Sequence, residues 1–274
     1  MLAIITVIYR NYEILHDFIE SLARQDSPFF TVYFIDLTEA DRREVIPWIR
    51  KIEGRYSYIT AENKGYAHGL NVGMAQASKD GKTHFALVNP DIVFDDHFVR
   101  SAAQTLTQHP RTIIGGKIYY AKGYEYHINR YKPSELGHVL WFAGGQINWA
   151  HATAEHLGVD EVDSPKYSEA GPTDFITGCL MLYDKTVHDS VGAWDESYFM
   201  YYEDTDFCVR AARLGVRIYY DPLVMIYHKN AQSTGGSGSK MQEQWMKKAR
   251  IRFGMKYAPL RTKMHLLLNS LKKS

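Results

Sequence analysis

Residues 2–23 read LAIITVIYRNYEILHDFIESLA, and two periodicities meet in them. Leu2–Tyr9 is an apolar run rich in β-branched residues, the pattern of a strand buried on both faces in a parallel sheet. From there Tyr12, Leu15, Phe18, Ile19 and Leu22 recur at helical spacing through Ala23. The alternation continues downstream. A strand is expected at Thr31–Ile35, ending at Asp36, and a helix over Arg43–Lys51 despite Pro47. A strand at Tyr56–Thr60, a helix at Gly69–Ala77 and a strand at His84–Val88 follow, the last ending in Asn89-Pro90-Asp91. This order predicts an α/β fold on a doubly wound, mostly parallel sheet. Ligands of such sheets sit beyond the carboxyl ends of the strands, where Asp36 and Asp91 fall.

The periodicity weakens between Gly115 and Thr173, a stretch rich in Tyr, His, Trp and Gly that reads as short strands and loops forming an acceptor surface. Phe175–Tyr183 reads as a strand, Tyr202–Leu214 as an amphipathic helix, and Ile218–Tyr220 and Val224–Tyr227 as two short strands ending at His228. Thr234–Ser239, TGGSGS, has the composition of a flexible linker.

With 274 residues, 45% hydrophobic and 23% charged, the chain has the make-up of a folded globular protein, which excludes disordered, collagenous and disulfide-scaffold classes. No apolar run approaches the roughly 20 residues of a membrane span, and the start lacks the basic flank of a secretory signal. Two isolated cysteines, Cys179 and Cys208, read as reduced thiols of a cytoplasmic protein, with a single disulfide as the alternative. The net charge of +1 hides an asymmetry: residues 240–274 carry ten Lys and Arg against one acid, Glu243. Met241, Trp245, Ala249, Phe253 and Tyr257 form an apolar stripe in that tail, continued by Leu260, Met264, Leu267, Leu268 and Leu271. A basic amphipathic helix of this kind lies on an anionic membrane surface or packs on the domain before it. Nothing in the chain matches a nucleic-acid-binding module.

Three groups carry candidate chemistry. Asp91 at a strand end is placed to hold a divalent metal, though Asn-Pro-Asp is also ordinary turn chemistry. Glu203 and Asp204 open a helix, either as a base with a supporting acid or as charges that complement the helix dipole. In Asn63–Gly73, NKGYAHGLNVG, glycines four residues apart allow close backbone approach, without the G-x-G-x-x-G spacing of a dinucleotide site. His228 by itself is more often a packed residue than a ligand, and the two cysteines lack zinc-ligand spacing.

Taken together, the order of these groups resembles the family 2 glycosyltransferases of the GT-A fold over residues 1–235. The resemblance runs through Tyr9 and Asn11, Asp36, NKGYAHGLNVG, LVNPD, TGCLMLYDK, VGAWDESYFMYYEDTDFCVRAARLG and His228, and it leans toward the bacterial rhamnosyltransferase-like branch. It implies a nucleotide-binding half (1–92), an acceptor and catalytic half (93–235) and a basic helical appendage (236–274). It also implies that Asp36 binds the base of a nucleotide-sugar, and that Tyr9, Asn11, Asn63, Gly65, Ala67, Asn71 and Asn89 line the nucleotide-sugar pocket. Thr177, Gly178 and Cys179 would lie beside the donor sugar, Asp91 and His228 would bind Mn2+ or Mg2+, and Asp204 would be the general base with Glu203 its neighbour. The implied reaction is inverting transfer from dTDP-rhamnose or a UDP-sugar to a hydroxyl of a glycan or lipid-linked glycan in cell-surface polysaccharide synthesis, at the inner face of the membrane. The chain departs from the family pattern at Asn89, where an acid is usual, and at Leu37–Asp41 after Asp36. A noncatalytic GT-A binding module and a nucleotidyltransferase are the alternatives; for the latter, Ile4–Asn11 offers only Arg10 as a phosphate-binding cation.

Overall fold

A computed structural model describes residues 1–38, 40–230 and 239–271. The first half runs β1 (Leu2–Ile8), α1 (Leu15–Ala23), β2 (Phe30–Asp36), β3 (Tyr56–Thr60), α2 (Tyr66–Lys79), β4 (His84–Val88), β5 (Ile92–Phe94) and α3 (Phe98–Gln108). The second half runs β6 (Thr112–Tyr120), β7 (Leu140–Phe142), β8 (Gly145–Asn148), β9 (Thr153–His156), β10 (Gly171–Pro172), β11 (Leu180–Asp184), α4 (Lys185–Val191), α5 (Glu203–Arg213) and β12 (Arg217–His228). Two helices close the described chain, α6 (Lys240–Tyr257) and α7 (Leu260–Leu271).

Ten strands form one sheet, with β10-β12-β6-β11-β4-β1-β2-β3 as its path, while β8 and β9 make a separate hairpin. The longest ladders, β1 with β2 and β6 with β12, are parallel, and the antiparallel β11 joins the two parallel blocks. β1 and β6 are buried along their whole length, and β1 accordingly reads as an almost continuous apolar run. Helix α1 turns Leu15, Phe18, Ile19 and Leu22 into the core. Helix α2 lies close on the sheet because Gly69 and Gly73 face Val7 and Ile5, where a Cβ would have no room.

Several expected elements differ. The helix over Arg43–Lys51 is two 3-10 turns, Arg43–Val45 and Pro47–Ile52, since Pro47 has no N–H to continue a helix through it. Helix α2 starts three residues before the expected Gly69, on the left-handed Gly65. Phe175–Cys179 is irregular chain leading into β11. The two short strands after Ile218 are one strand, β12, with a register shift between Asp221 and Met225. β5 and α3 escape a periodicity reading because β5 has three residues and follows the Asn-Pro-Asp turn directly. The linker at 234–238 and the 235/236 boundary lie outside the described residues, as do Lys272 and Lys273.

The middle of the tail's stripe, on α6, is already covered. Ser239 caps α6 by accepting the Gln242 N–H at 3.2 Å. Ala249 and Phe253 are buried, and Phe253 stacks on Trp149 at 5.8 Å. Trp245 stacks on Phe199 at 4.6 Å. Burying a phenylalanine contributes roughly 1.5–3 kcal/mol, so this face of α6 is held to the domain.

Candidate active site

Strand pairing assembles the site. β5 runs antiparallel to the end of β12 and sets His228 opposite Ile92, next to Asp91. His228 Nε2 lies 3.3 Å from Asp91 Oδ1, and both residues are buried. Neither imidazole nitrogen of His228 has a hydrogen-bond partner among the described residues. A buried imidazole in that state is costly in a finished fold, and beside a carboxylate it has the donor set of a divalent-metal site, with the remaining positions left to ligand oxygens. No cluster of three or more His, Cys, Asp or Glu suited to a metal occurs among the described residues. The Trp141 ring packs edge-on at 4.5 Å from both His228 and His156. Burial holds His156 down to about 4, so it is neutral near pH 7.

The second cluster stands at the start of α5. Asp204 Oδ2 accepts the Gly178 N–H at 2.8 Å, and Oδ1 accepts the Thr205 N–H at 2.6 Å and its hydroxyl at 3.1 Å. Burial raises the Asp204 carboxyl above its usual range, and these donors oppose the rise by favouring the charged form. Glu203 is buried, more deeply than Asp204, and its Oε2 has no hydrogen-bond partner among the described residues. Burial first, then the charge of Asp204, pushes it well above the carboxylate range. Of the two, Glu203 is pushed further toward keeping its proton, because Asp204 has the donors that favour its charged form.

Tyr66 joins the two clusters. Its hydroxyl lies 3.2 Å from Asn89 Oδ1 and 3.1 Å from the Gly178 carbonyl. Asn89 N–H donates to the Cys179 carbonyl at 3.3 Å, and burial raises the Cys179 thiol out of reactive range. Thr177 accepts the Cys179 N–H at 3.3 Å. The sequence marks neither Tyr66, inside NKGYAHGLNVG, nor Trp141 as a site residue, since an aromatic signals only packing until its neighbours are known.

The remaining expected residues divide. A cleft of about 540 Å³ at the ends of β1 and β2 is lined by Arg10, Asn11, Tyr12, Glu13, Thr38, Arg42 and Val45. Tyr9, 44% exposed, stands beside it with the Arg10 guanidinium over its ring. Asp36 is fully buried below. Its Oδ1 accepts the Thr38 N–H at 2.9 Å and the Thr38 hydroxyl, and its Oδ2 accepts Tyr12 at 2.9 Å and Tyr58. A carboxylate has about four acceptor positions, so a base reaching Asp36 must displace one of these donors. Asn71 is occupied too: its amide donates to the Trp194 carbonyl and Glu196 and accepts the Trp194 N–H at 2.9 Å. Ala67 is core. Asn63 Oδ1 accepts the Gly65 N–H at 3.3 Å. Gly65 is required where it stands, with φ of 104° and a Cβ position 2.4 Å from the Phe199 carbonyl.

Residues 2–247 match the family model described as Glycosyltransferase like family 2. The chain belongs to that family. Among relatives of this glycosyltransferase, the Haloferax volcanii low-salt glycan biosynthesis hexosyltransferase Agl10 is 24% identical over 68% of this chain and 55% of its own length. A Mycobacterium tuberculosis N-acetylglucosaminyl-diphospho-decaprenol L-rhamnosyltransferase is 36% identical over 64% of this chain and 59% of its own. The chain thus spans less than two thirds of the length of these relatives. The Escherichia coli rhamnosyltransferase WbbL is 36% identical over a shorter stretch, 26% of this chain and 28% of its own. By structure, the glycosyltransferase resembles GalNAc-T7 with UDP, GalNAc and Mn2+ (TM-score 0.66, 10% identity, 87% of this chain and 44% of the other). It also resembles the Pyrobaculum calidifontis mannosyltransferase PcManGT with GDP-Man and Mn2+ (TM-score 0.59, 15% identity, 97% and 67%). Both likenesses carry the GT-A fold, with the mixed sheet described above.

Proposed function

We propose that this glycosyltransferase is an inverting, metal-dependent enzyme that moves a hexose, from dTDP-rhamnose or a UDP-sugar, to a hydroxyl of a glycan or lipid-linked glycan. The observation that supports it most is the contact chain Asp204–Gly178–Tyr66–Asn89, which ties the Asp204 carboxyl to the strand end bearing Asp91 and His228. Asp204 takes the proton of the acceptor hydroxyl while its oxygen forms a bond to the anomeric carbon from the face opposite the nucleotide. The bond from that carbon to the diphosphate oxygen breaks, and the electron pair leaves with the diphosphate. Glu203, holding its proton, keeps a second negative charge out of the pair. Asp91 and His228 would hold Mn2+ or Mg2+, which supplies charge neutralisation for the leaving diphosphate. The cleft under Tyr9 and Asn11 takes the nucleotide, with Asp36 setting Tyr12 and Thr38 as its rim. In this reading residues 1–92 form the nucleotide half and 93–235 the acceptor and catalytic half, and the relatives' names support a rhamnose or hexose donor.

No described helix is long and apolar enough to cross a membrane. Peripheral binding to an anionic inner leaflet is the role we assign to α7 rather than α6, whose stripe is covered. Leu260, Met264, Leu267 and Leu268 of α7 are 48–75% exposed beside Arg261 and Lys263, while Leu266 and Thr262 face inward. The deciding experiment for the reaction is a donor screen, reading nucleoside diphosphate release by mass spectrometry with dTDP-, UDP- and GDP-sugars plus Mn2+. Release from none of them, by folded protein, refutes the reading.

A further inference from the structure

A second cavity, of about 770 Å³, lies between α6 and the segment Asp195–Met200. It shares no lining residue with the cleft at the ends of β1 and β2. Its walls differ in character. Trp245, Phe199, Met200, Ile251 and Met255 supply apolar surface. Lys248, Arg252 and Lys256, four residues apart on one face of α6, supply three cations.

The cations are not equivalent. Lys256 is engaged with Asp195 at 2.9 Å and with the buried Asp206 at 2.6 Å, so it holds α6 to the domain. Lys248 and Arg252 are paired with no carboxylate among the described residues. Each lies over an aromatic ring instead, Lys248 at 4.9 Å from Trp245 and Arg252 at 5.8 Å from Tyr198. Asp195, the one acid lining the cavity, is already neutralised by Lys256. An anion entering here therefore meets two cations with no carboxylate partner, beside a partly apolar floor.

The cavity is also wired to the reacting centre. Its wall at Phe199–Met200 runs through Tyr201 and Tyr202, both with left-handed φ of 70° and 64°, directly into Glu203 and Asp204. Two successive non-glycine residues in that region are strained, and such strain persists only where neighbours enforce it. Phe199, just before them, is fixed by the Tyr66 N–H to its carbonyl at 2.9 Å and by the Trp245 stack.

We propose that this cavity binds a phosphate or diphosphate group borne by the acceptor, with Lys248 and Arg252 on the charge and Trp245, Phe199 and Met255 against the adjoining apolar part. The inference rests on the glycosyltransferase reading and gives it an acceptor class, an anionic amphiphile, held on the segment that leads along the chain into Asp204. The same anionic chemistry is offered by a phospholipid-like polyprenyl carrier and by a free phosphorylated compound, and the probes below separate them.

The test uses the full chain and three probes: decaprenyl diphosphate in neutral detergent micelles, decaprenol in the same micelles, and inorganic pyrophosphate. Binding is read by tryptophan fluorescence and calorimetry for wild type, K248E/R252E and K248Q/R252Q. Both positions are exposed, so both variants are expected to unfold at the wild-type temperature. Decaprenyl diphosphate is expected to bind wild type at least tenfold tighter than either variant and at least tenfold tighter than decaprenol. Pyrophosphate binding with the same sensitivity assigns the site to the charged group alone; its failure to bind, with the lipid binding, assigns it to the whole amphiphile. Equal binding of decaprenol and its diphosphate overturns the proposal, as does variant affinity within twofold of wild type. Nucleoside diphosphate binding with Mn2+, measured on the same samples, is expected to be unchanged. A wild-type protein that binds decaprenyl diphosphate yet releases nucleoside diphosphate from no donor would refute the enzyme reading while leaving the anion site standing.

Discussion

Replacing Asp204 by asparagine tests the base and the local structure together. Asparagine is the nearest isostere, yet it is not silent at this position. Asp204 accepts from Gly178 N–H on one oxygen and from Thr205 N–H on the other. An amide has one oxygen, so in either flip its NH2 faces a backbone donor across a distance now 2.8 or 2.6 Å. One buried N–H loses its acceptor, which costs about 1–3 kcal/mol. For a chain of this size that is a fall of several degrees in Tm. Removing the base costs a further factor of about 10²–10⁴ in turnover. The expected result is thus a fold that melts slightly early, binds nucleotide nearly as wild type and turns over at least about a hundredfold more slowly. Nucleoside diphosphate release at saturating donor and acceptor measures the second effect, and thermal unfolding the first. The pH profile adds a sign. A base must be ionised and the Asp204 carboxyl is raised by burial, so wild-type turnover falls on the acid side at a pH above the ordinary carboxylate range. Turnover within tenfold of wild type in the folded variant, or a greater loss in Glu203→Gln, refutes the assignment.

Chelation should abolish transfer, and His228→Ala should raise the Mn2+ concentration needed for half-maximal activity; full turnover in excess EDTA removes Asp91 and His228 from any metal role. Gly65→Ala places a Cβ 2.4 Å from the Phe199 carbonyl at a φ of 104°, so the Phe199–Tyr202 segment must shift. A loss of about 1–3 kcal/mol in unfolding free energy is expected together with reduced turnover, and a variant with wild-type melting and activity contradicts the close approach. Burial works against ionising Asp195, but hydrogen bonds from Ser197 and Lys256 outweigh it and hold the carboxyl at about 2, below its usual value. Its stabilisation is therefore present above the ordinary carboxylate pKa and lost as pH falls toward 2. The Tm gap between wild type and Lys256→Met should be widest near neutral pH and shrink toward pH 2, and a constant gap shows that the bridge is not its source.

The strands of the nucleotide half were legible because a fully buried parallel strand must be apolar on both faces, as Leu2–Ile5 and Phe85–Val88 are. Pairs close in sequence were legible as well: Glu203 and Asp204 open their helix together wherever that helix goes. The sequence also carried the family likeness, since its motifs are local strings. Contacts between distant residues were not determined that way. His228 meets Asp91 only because β5 pairs antiparallel with the end of β12, a register that neither string contains. The same holds for Tyr66, which reaches Gly178 across 112 positions of chain. The saturated carboxylate of Asp36 needed Tyr58, 22 residues away on the neighbouring strand. The tail shows the division most plainly. Its apolar stripe was visible in the spacing of Trp245, Ala249, Phe253 and Tyr257, but a stripe states only that a face must be covered. Which surface covers it is a property of the whole fold, and here Trp149, Tyr202 and Phe199 do so, leaving Lys248 and Arg252 over a cavity and the outer face of α7 open.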